Sequence, residues 1–243
     1  MKTTAVPAYS LALLLAASLI PLCAEPTAVP RHLTEAEHLV EGLSLADTNY
    51  EHGQPSVSWN SPKASHTDCS GFIDALLMHT YHYDPDQFKV WFDSHRPTAK
   101  RYHDAIIEQR GFTQIHFINH LRPGDILAVK YLKRTDNTGH VMLVDGYPKR
   151  RKTTEPIVDG TEQWEVEIID SSKSGHGTTD TRHKMGADGK DHDGLGRGVL
   201  RIYTTPDGKV AGFAWSTMKV SKYEPPDDED LVMGRLVPDY KPQ

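Results

Sequence analysis

An α+β fold is predicted for this chain by a change of hydrophobic period part-way along it. Up to about residue 110 the apolar residues recur at helical spacing. From residue 126 they fall into short blocks that alternate or run continuously, as strands do. A helix-rich first half before a strand-rich second half is the pattern of an α+β architecture.

The first elements are a leader and a linker. Lys2 precedes an apolar stretch, Leu11 to Leu22, and Leu22-Cys23-Ala24 supplies a small residue before Glu25. This reads as a signal peptide over 1–24, too short to anchor in a bilayer, so a periplasmic or secreted protein is expected. No second long apolar run follows, so no transmembrane helix is expected after it. The formal net charge of −6 argues against nucleic acid as a partner. Residues 25–46 read as a linker and a first helix, Thr34 to Leu43, with Thr34 and Glu37 as a capping box. Residues 47–243 form the main domain.

Within that domain 47–67 reads as loop and Cys69 to about Tyr81 as helix, with Phe72, Ile73, Leu76 and Leu77 on its repeating face. Pro85 and Pro97 mark 82–97 as irregular. Thr98 to Arg110 is a second amphipathic helix that Gly111 ends. Arg122-Pro123-Gly124-Asp125 is a turn. Strands follow at Ile126 to Tyr131, His140 to Tyr147 and Trp164 to Asp170. Lys149 to Lys152 reads as a solvated basic loop. Residues 171–198, rich in Gly, Asp, Ser and His, read as a long surface loop. Val199 to Thr204, Gly212 to Met218 and Leu231 to Val237 are further strand candidates.

The chemistry centres on Cys69. Of the two cysteines, Cys23 leaves with the leader, so Cys69 has no disulfide partner in an exported chain. It stands where a helix begins, in Thr67-Asp68-Cys69-Ser70-Gly71-Phe72. A helix N-terminus and a nearby imidazolium are the two devices that favour a thiolate. His140 opens the apolar strand Gly139-His140-Val141-Met142-Leu143-Val144. If this strand and Trp164 to Asp170 are antiparallel neighbours, His140 and Asp170 fall at the same end and on the same face. Asp170 would then orient the imidazole, with Asp145 or the His176 region as alternatives. His176, Asp180, His183, Asp188, Asp191, His192 and Asp193 fit no strong metal template and read as a hydrated polar loop. Trp164 and Trp215 read as core.

Asp68-Cys69-Ser70-Gly71-Phe72, Pro123-Gly124-Asp125-Ile126 and Gly139-His140-Val141, in that order, resemble the NlpC-type cell-wall cysteine peptidases. The resemblance runs from about Tyr50 to Asp170. It implies a papain-like fold, Cys69 as nucleophile, His140 as general base and Asp170 as the orienting residue. It also implies a tyrosine upstream of the cysteine at the oxyanion, for which Tyr50 is the match; Asp68 and Ser70 are further candidates for oxyanion or substrate contacts. The implied activity is hydrolysis of amide bonds in bacterial cell-wall stem peptides, by a monomer needing no cofactor and no metal. An inactive binding module for cell-wall peptides or a protein partner, or a thiol acyltransferase or esterase, remain the alternatives.

Overall fold

The computed structural model describes residue 2, residues 29–185 and residues 192–242. The leader predicted over 1–24 lies outside them, Lys2 apart. Among the described residues no helix is long and apolar enough to cross a membrane.

The architecture is α+β. In chain order the helices are α1 (Arg31–Glu41), α2 (Cys69–Tyr81), α3 (Pro85–Phe92), α4 (Ala99–Ile107) and α5 (Thr181–Met185). The strands are β1 (Thr48–Asn49), β2 (Ser56–Ser58), β3 (Ala64–His66), β4 (Phe112–Ile115), β5 (Ile126–Tyr131), β6 (Gly139–Val144), β7 (Lys149–Arg150), β8 (Glu162–Ser172), β9 (Gly194–Thr204), β10 (Val210–Ala214) and β11 (Glu229–Leu236).

The large sheet runs β10-β9-β8-β6-β5-β11-β4, with β7 also paired to β8. Its strand pairs are antiparallel. It curls until its ends meet: Phe117, after β4, bridges Lys209, and the Ile118 N–H donates to the Gly208 carbonyl at 2.9 Å. The period-2 alternation then gives the sheet two apolar faces. Leu127, Val129, Met142, Val144, Val166 and Ile168 turn into the curl. Ile126, Ala128, Val141, Leu143 and Ile169 turn outward and pack with α1, α2, α3 and α4.

α2 is buried on nearly every side, which a one-faced amphipathic reading does not anticipate. Several further boundaries depart from expectation. α1 starts at Arg31 behind Pro30, and no side chain caps it, so the Thr34–Glu37 box does not form. The 82–97 segment contains α3, because Pro85 occupies the first helical turn and Asp84 with Gln87 makes the capping box there. The 47–67 segment holds β1, β2 and β3. The basic tract is partly a strand, pairing Lys149 with Glu165 and Arg150 with Trp164. The long 171–198 loop shrinks at both ends: β8 runs to Ser172 and β9 starts at Gly194, with α5 between them.

Candidate active site

The site is built where α2 begins. Asp68 is its N-cap: Oδ1 accepts the Gly71 N–H at 2.7 Å and the Ser70 hydroxyl at 3.3 Å. A carboxylate there satisfies a donor the helix leaves open and favours its positive end. Oδ2 accepts from Arg96 Nη2 at 2.8 Å and lies 3.1 Å from His52 Nδ1. Asp68 is thus occupied as a cap and a charge partner, and its oxygens are acceptors rather than oxyanion donors. Cys69, free and 6% exposed, is the first residue of the helix.

His140 reaches Cys69 from β6. Backbone pairing of β6 with β8 covers Leu143–Ile169 and Val144–Ile168, and the strands then part. The imidazole and the Asp170 side chain fill the gap. His140 Nε2 lies 2.6 Å from Asp170 Oδ2, and since a carboxylate only accepts, Nε2 carries the proton. Nδ1 is left for Cys69, whose sulfur interacts electrostatically with the ring. Burial alone would lower the His140 pKa. The interaction with Cys69 and the bond to Asp170 outweigh it and raise the value to about 10.

Asp170 is itself 0% exposed and needs compensation. His176 Nε2 lies 3.0 Å from Oδ2, and Arg182 Nη2 donates to Oδ1 at 2.9 Å. His176 Nδ1 faces the Trp215 carbonyl at 2.8 Å, so both its nitrogens meet acceptors. Arg182, also fully buried, spends its remaining donors on Asp180 and on the Asp170 and Gly194 carbonyls. Burial pushes the Asp170 carboxyl upward; the charges of Arg182 and His176 reverse this and hold it well below the usual range. Ser171 Oγ donates to the Thr67 carbonyl at 2.6 Å and ties this end of β8 to the turn before Cys69.

Glycines make room for the cluster. Gly196 and Gly198 share one face of β9, and a Cβ on Gly198 would stand 2.6 Å from both Asp180 Oδ2 and His176 Cδ2. His176, Asp180 and Arg182 are therefore buried scaffold and not the hydrated loop that their neighbourhood predicts. His183, His192 and Asp193 do not join them at Asp170, and Asp188 and Asp191 lie outside the described residues. Asp145 pairs with Arg197 at 3.0 Å instead of orienting His140.

A two-lobed cleft opens above this cluster. One lobe, about 320 Å³, exposes Cys69, Asp68 and Ser70; the other, about 340 Å³, exposes His140, His176 and Trp215. Tyr50, His52, Asn137 and Lys173 belong to both. Tyr50 is thus brought to the nucleophile across a 19-residue separation by the β1–β3 ladder. Burial, with the nearby Cys69 and Asp68 charges, raises its hydroxyl pKa and keeps it a donor. Trp215 is no plain core residue: its ring meets the His140 ring edge-on at 5.4 Å and stacks on His176 at 6.0 Å. Sequence reasoning missed Arg182, this role of Trp215, and Tyr131, which lines the His140 lobe. The Gly-x-Gly-x-Gly run at 194–198 was the available signal for Arg182, because alternate glycines on a strand mark something packed close above it.

His140, Asp170 and His176 also bring one ligand atom each within 4.8 Å of one another. Both imidazoles already address one Asp170 oxygen, and Arg182 holds the other. A cation there would meet that guanidinium, so the donor set fits a hydrogen-bonded charge cluster better than a metal site.

No family model and no solved structure matches the chain. It is 36% identical over 222 residues to uncharacterized protein R653 of Acanthamoeba polyphaga mimivirus, an overlap of 85% of this chain and 96% of the viral one. The chain belongs to the family of that viral protein. The relative is uncharacterized, so the activity has to be argued from the site.

Proposed function

We propose that the protein is a cysteine hydrolase of amide bonds with a papain-like arrangement, a divergent relative of the NlpC-type peptidases. One observation carries this reading: a free cysteine at a helix N-terminus interacts electrostatically with an imidazole whose Nε2 lies 2.6 Å from a buried, charge-held aspartate. The packing of the start of α2 on the antiparallel pair β6 and β8 also supports it.

In the proposed cycle the Cys69 proton already rests on His140, as the raised imidazole pKa favours, and the thiolate attacks the amide carbonyl. Cys69 opens α2, so its own N–H has no helical acceptor and faces the oxyanion. The Tyr50 hydroxyl, from the shared wall of the cleft, is the second donor. Asp170 holds the imidazolium as it forms, and His140 then protonates the departing amine. Water, deprotonated by the same histidine, resolves the thioester. The sequence motifs favour peptides of the bacterial cell wall as substrate, met in the periplasm or outside the cell.

The test is release of new primary amines from purified cell walls and from a peptide library. Wild type should generate them, while Cys69→Ala and His140→Ala should fall by at least about a thousandfold. Turnover that survives in Cys69→Ala contradicts the proposal.

A further inference from the structure

The two lobes of the cleft differ in charge. Among the described residues the His140 lobe is lined by Arg134 and by no carboxylate, the Cys69 lobe carries Asp68 and Asp136, and Lys173 stands on the wall the two lobes share. Each cation stands over an aromatic ring of the cleft wall. The Arg134 guanidinium lies 4.6 Å from the Tyr131 ring centre and the Lys173 ammonium 5.9 Å from that of Tyr50. Arg134 is partly offset by Glu229 at 3.3 Å. Lys173 is exposed, and among the described residues no carboxylate lies within ion-pair distance of it. Rings beneath the charges limit where they swing.

The chemistry decides which half of a substrate meets them. As the Cys69 Sγ–C bond forms and the C–N bond breaks, the proton that His140 took from the thiol passes to the departing nitrogen. The leaving amine therefore sits on the His140 side, and the acyl group stays on the Cys69 side. We infer that the leaving half of the substrate carries a carboxylate, received by Lys173 and Arg134. This rests on the hydrolase reading and adds the polarity of the substrate to it: an anionic amine-side residue and an acyl side that is neutral or cationic.

Two alkylating agents of nearly equal size probe the charge without any substrate: anionic iodoacetate and neutral iodoacetamide. The rate ratio of iodoacetate to iodoacetamide at Cys69 should fall about three- to tenfold in Lys173→Gln with Arg134→Gln, and 0.5 M salt, on the order of a 4 Å screening length, should compress it in wild type. Lys173→Gln alone, at an exposed position, should give a smaller fall in the same direction and guards against misfolding through the Arg134–Glu229 contact. A ratio that does not move in either variant overturns the inference. Peptide pairs that differ only in a carboxylate or a carboxamide on the leaving residue supply the second reading. Wild type should prefer the carboxylate about tenfold in kcat/KM, Lys173→Gln should lose most of that preference, and equal rates in wild type overturn the inference. The hydrolase reading fails differently: iodoacetamide then reacts no faster than with free cysteine and no peptide is cut, while the charge ratio still reports on the lobe.

Discussion

His140 shows how one side chain takes its character from three neighbours. Burial would hold it neutral, but the Cys69 sulfur and Asp170 keep the proton on it up to about pH 10. Removing the sulfur charge should release it: in Cys69→Ala the imidazole should titrate at a distinctly lower pH by ¹⁵N NMR. An unchanged titration would mean the two groups do not interact. Arg182 matters as much, one step further from the chemistry. Arg182→Met leaves Asp170 and Asp180 buried without their guanidinium, at a cost of about 3–5 kcal/mol in urea unfolding. Arg182→Lys should recover part of the stability but not the two-carboxylate fork, and so less of the Cys69 reactivity. Cys69, His140 and Asp170 were legible from the sequence because each sits at an element boundary with an odd polar or thiol group in an apolar run. Arg182 was not, since an arginine in a polar segment reads as solvated until β8 and β9 are seen to enclose it.

Elements position these groups through their ends. α2 is fixed at its start by the Asp68 cap and by Ser171 bonded to the Thr67 carbonyl. Asp68→Ala should cost about 1–2 kcal/mol and slow alkylation of Cys69, while Asp68→Asn retains the cap and most of the stability. On β6, Gly139 has φ +144, and a Cβ there would lie 1.9 Å from the Val129 carbonyl oxygen. Only glycine lets the strand turn into His140 that close to β5. On β9, Gly198→Ala should push His176 and Asp180 apart, with a loss of about 1–3 kcal/mol and slower alkylation. α2, α4 and most strands of the sheet could be read from period and punctuation, although α4 ends at Ile107 and not at Arg110 before Gly111. α3 could not, because Pro85 looks like a breaker until its place in the first turn is known. β1–β3 are too short to show a period.

Across the whole molecule, buried acids set opposite pH slopes. Asp170 has a folded pKa far below its unfolded value near 3.8, so its stabilisation is complete above that pH and is lost only as pH falls well beneath it. Asp74, in α2, behaves in the reverse sense. It is buried, its Oδ1 accepts the Tyr102 hydroxyl at 2.6 Å and its Oδ2 has no hydrogen-bond partner among the described residues. Burial raises its pKa well above 3.8, so the fold holds a proton that the unfolded chain gives up. Stability from this site is therefore lost as pH rises from 3.8 toward the folded value. Asp74→Asn should remove that slope, gaining about 1 kcal/mol at pH 7 and little at pH 4 in matched urea titrations. The α+β class was legible from the switch of period, but the curl of the sheet was not. Closure depends on the contact of Phe117 and Ile118 with the distant β9–β10 turn, which leaves no local pattern. The central claim is an activated Cys69–His140 pair, and the alkylation rate of Cys69 by iodoacetamide at pH 6.5 tests it most directly, in wild type and His140→Ala. The pair predicts a rate well above that of free cysteine, falling at least about tenfold when the imidazole is removed. A thiol as slow as free cysteine, or one indifferent to His140, would contradict it.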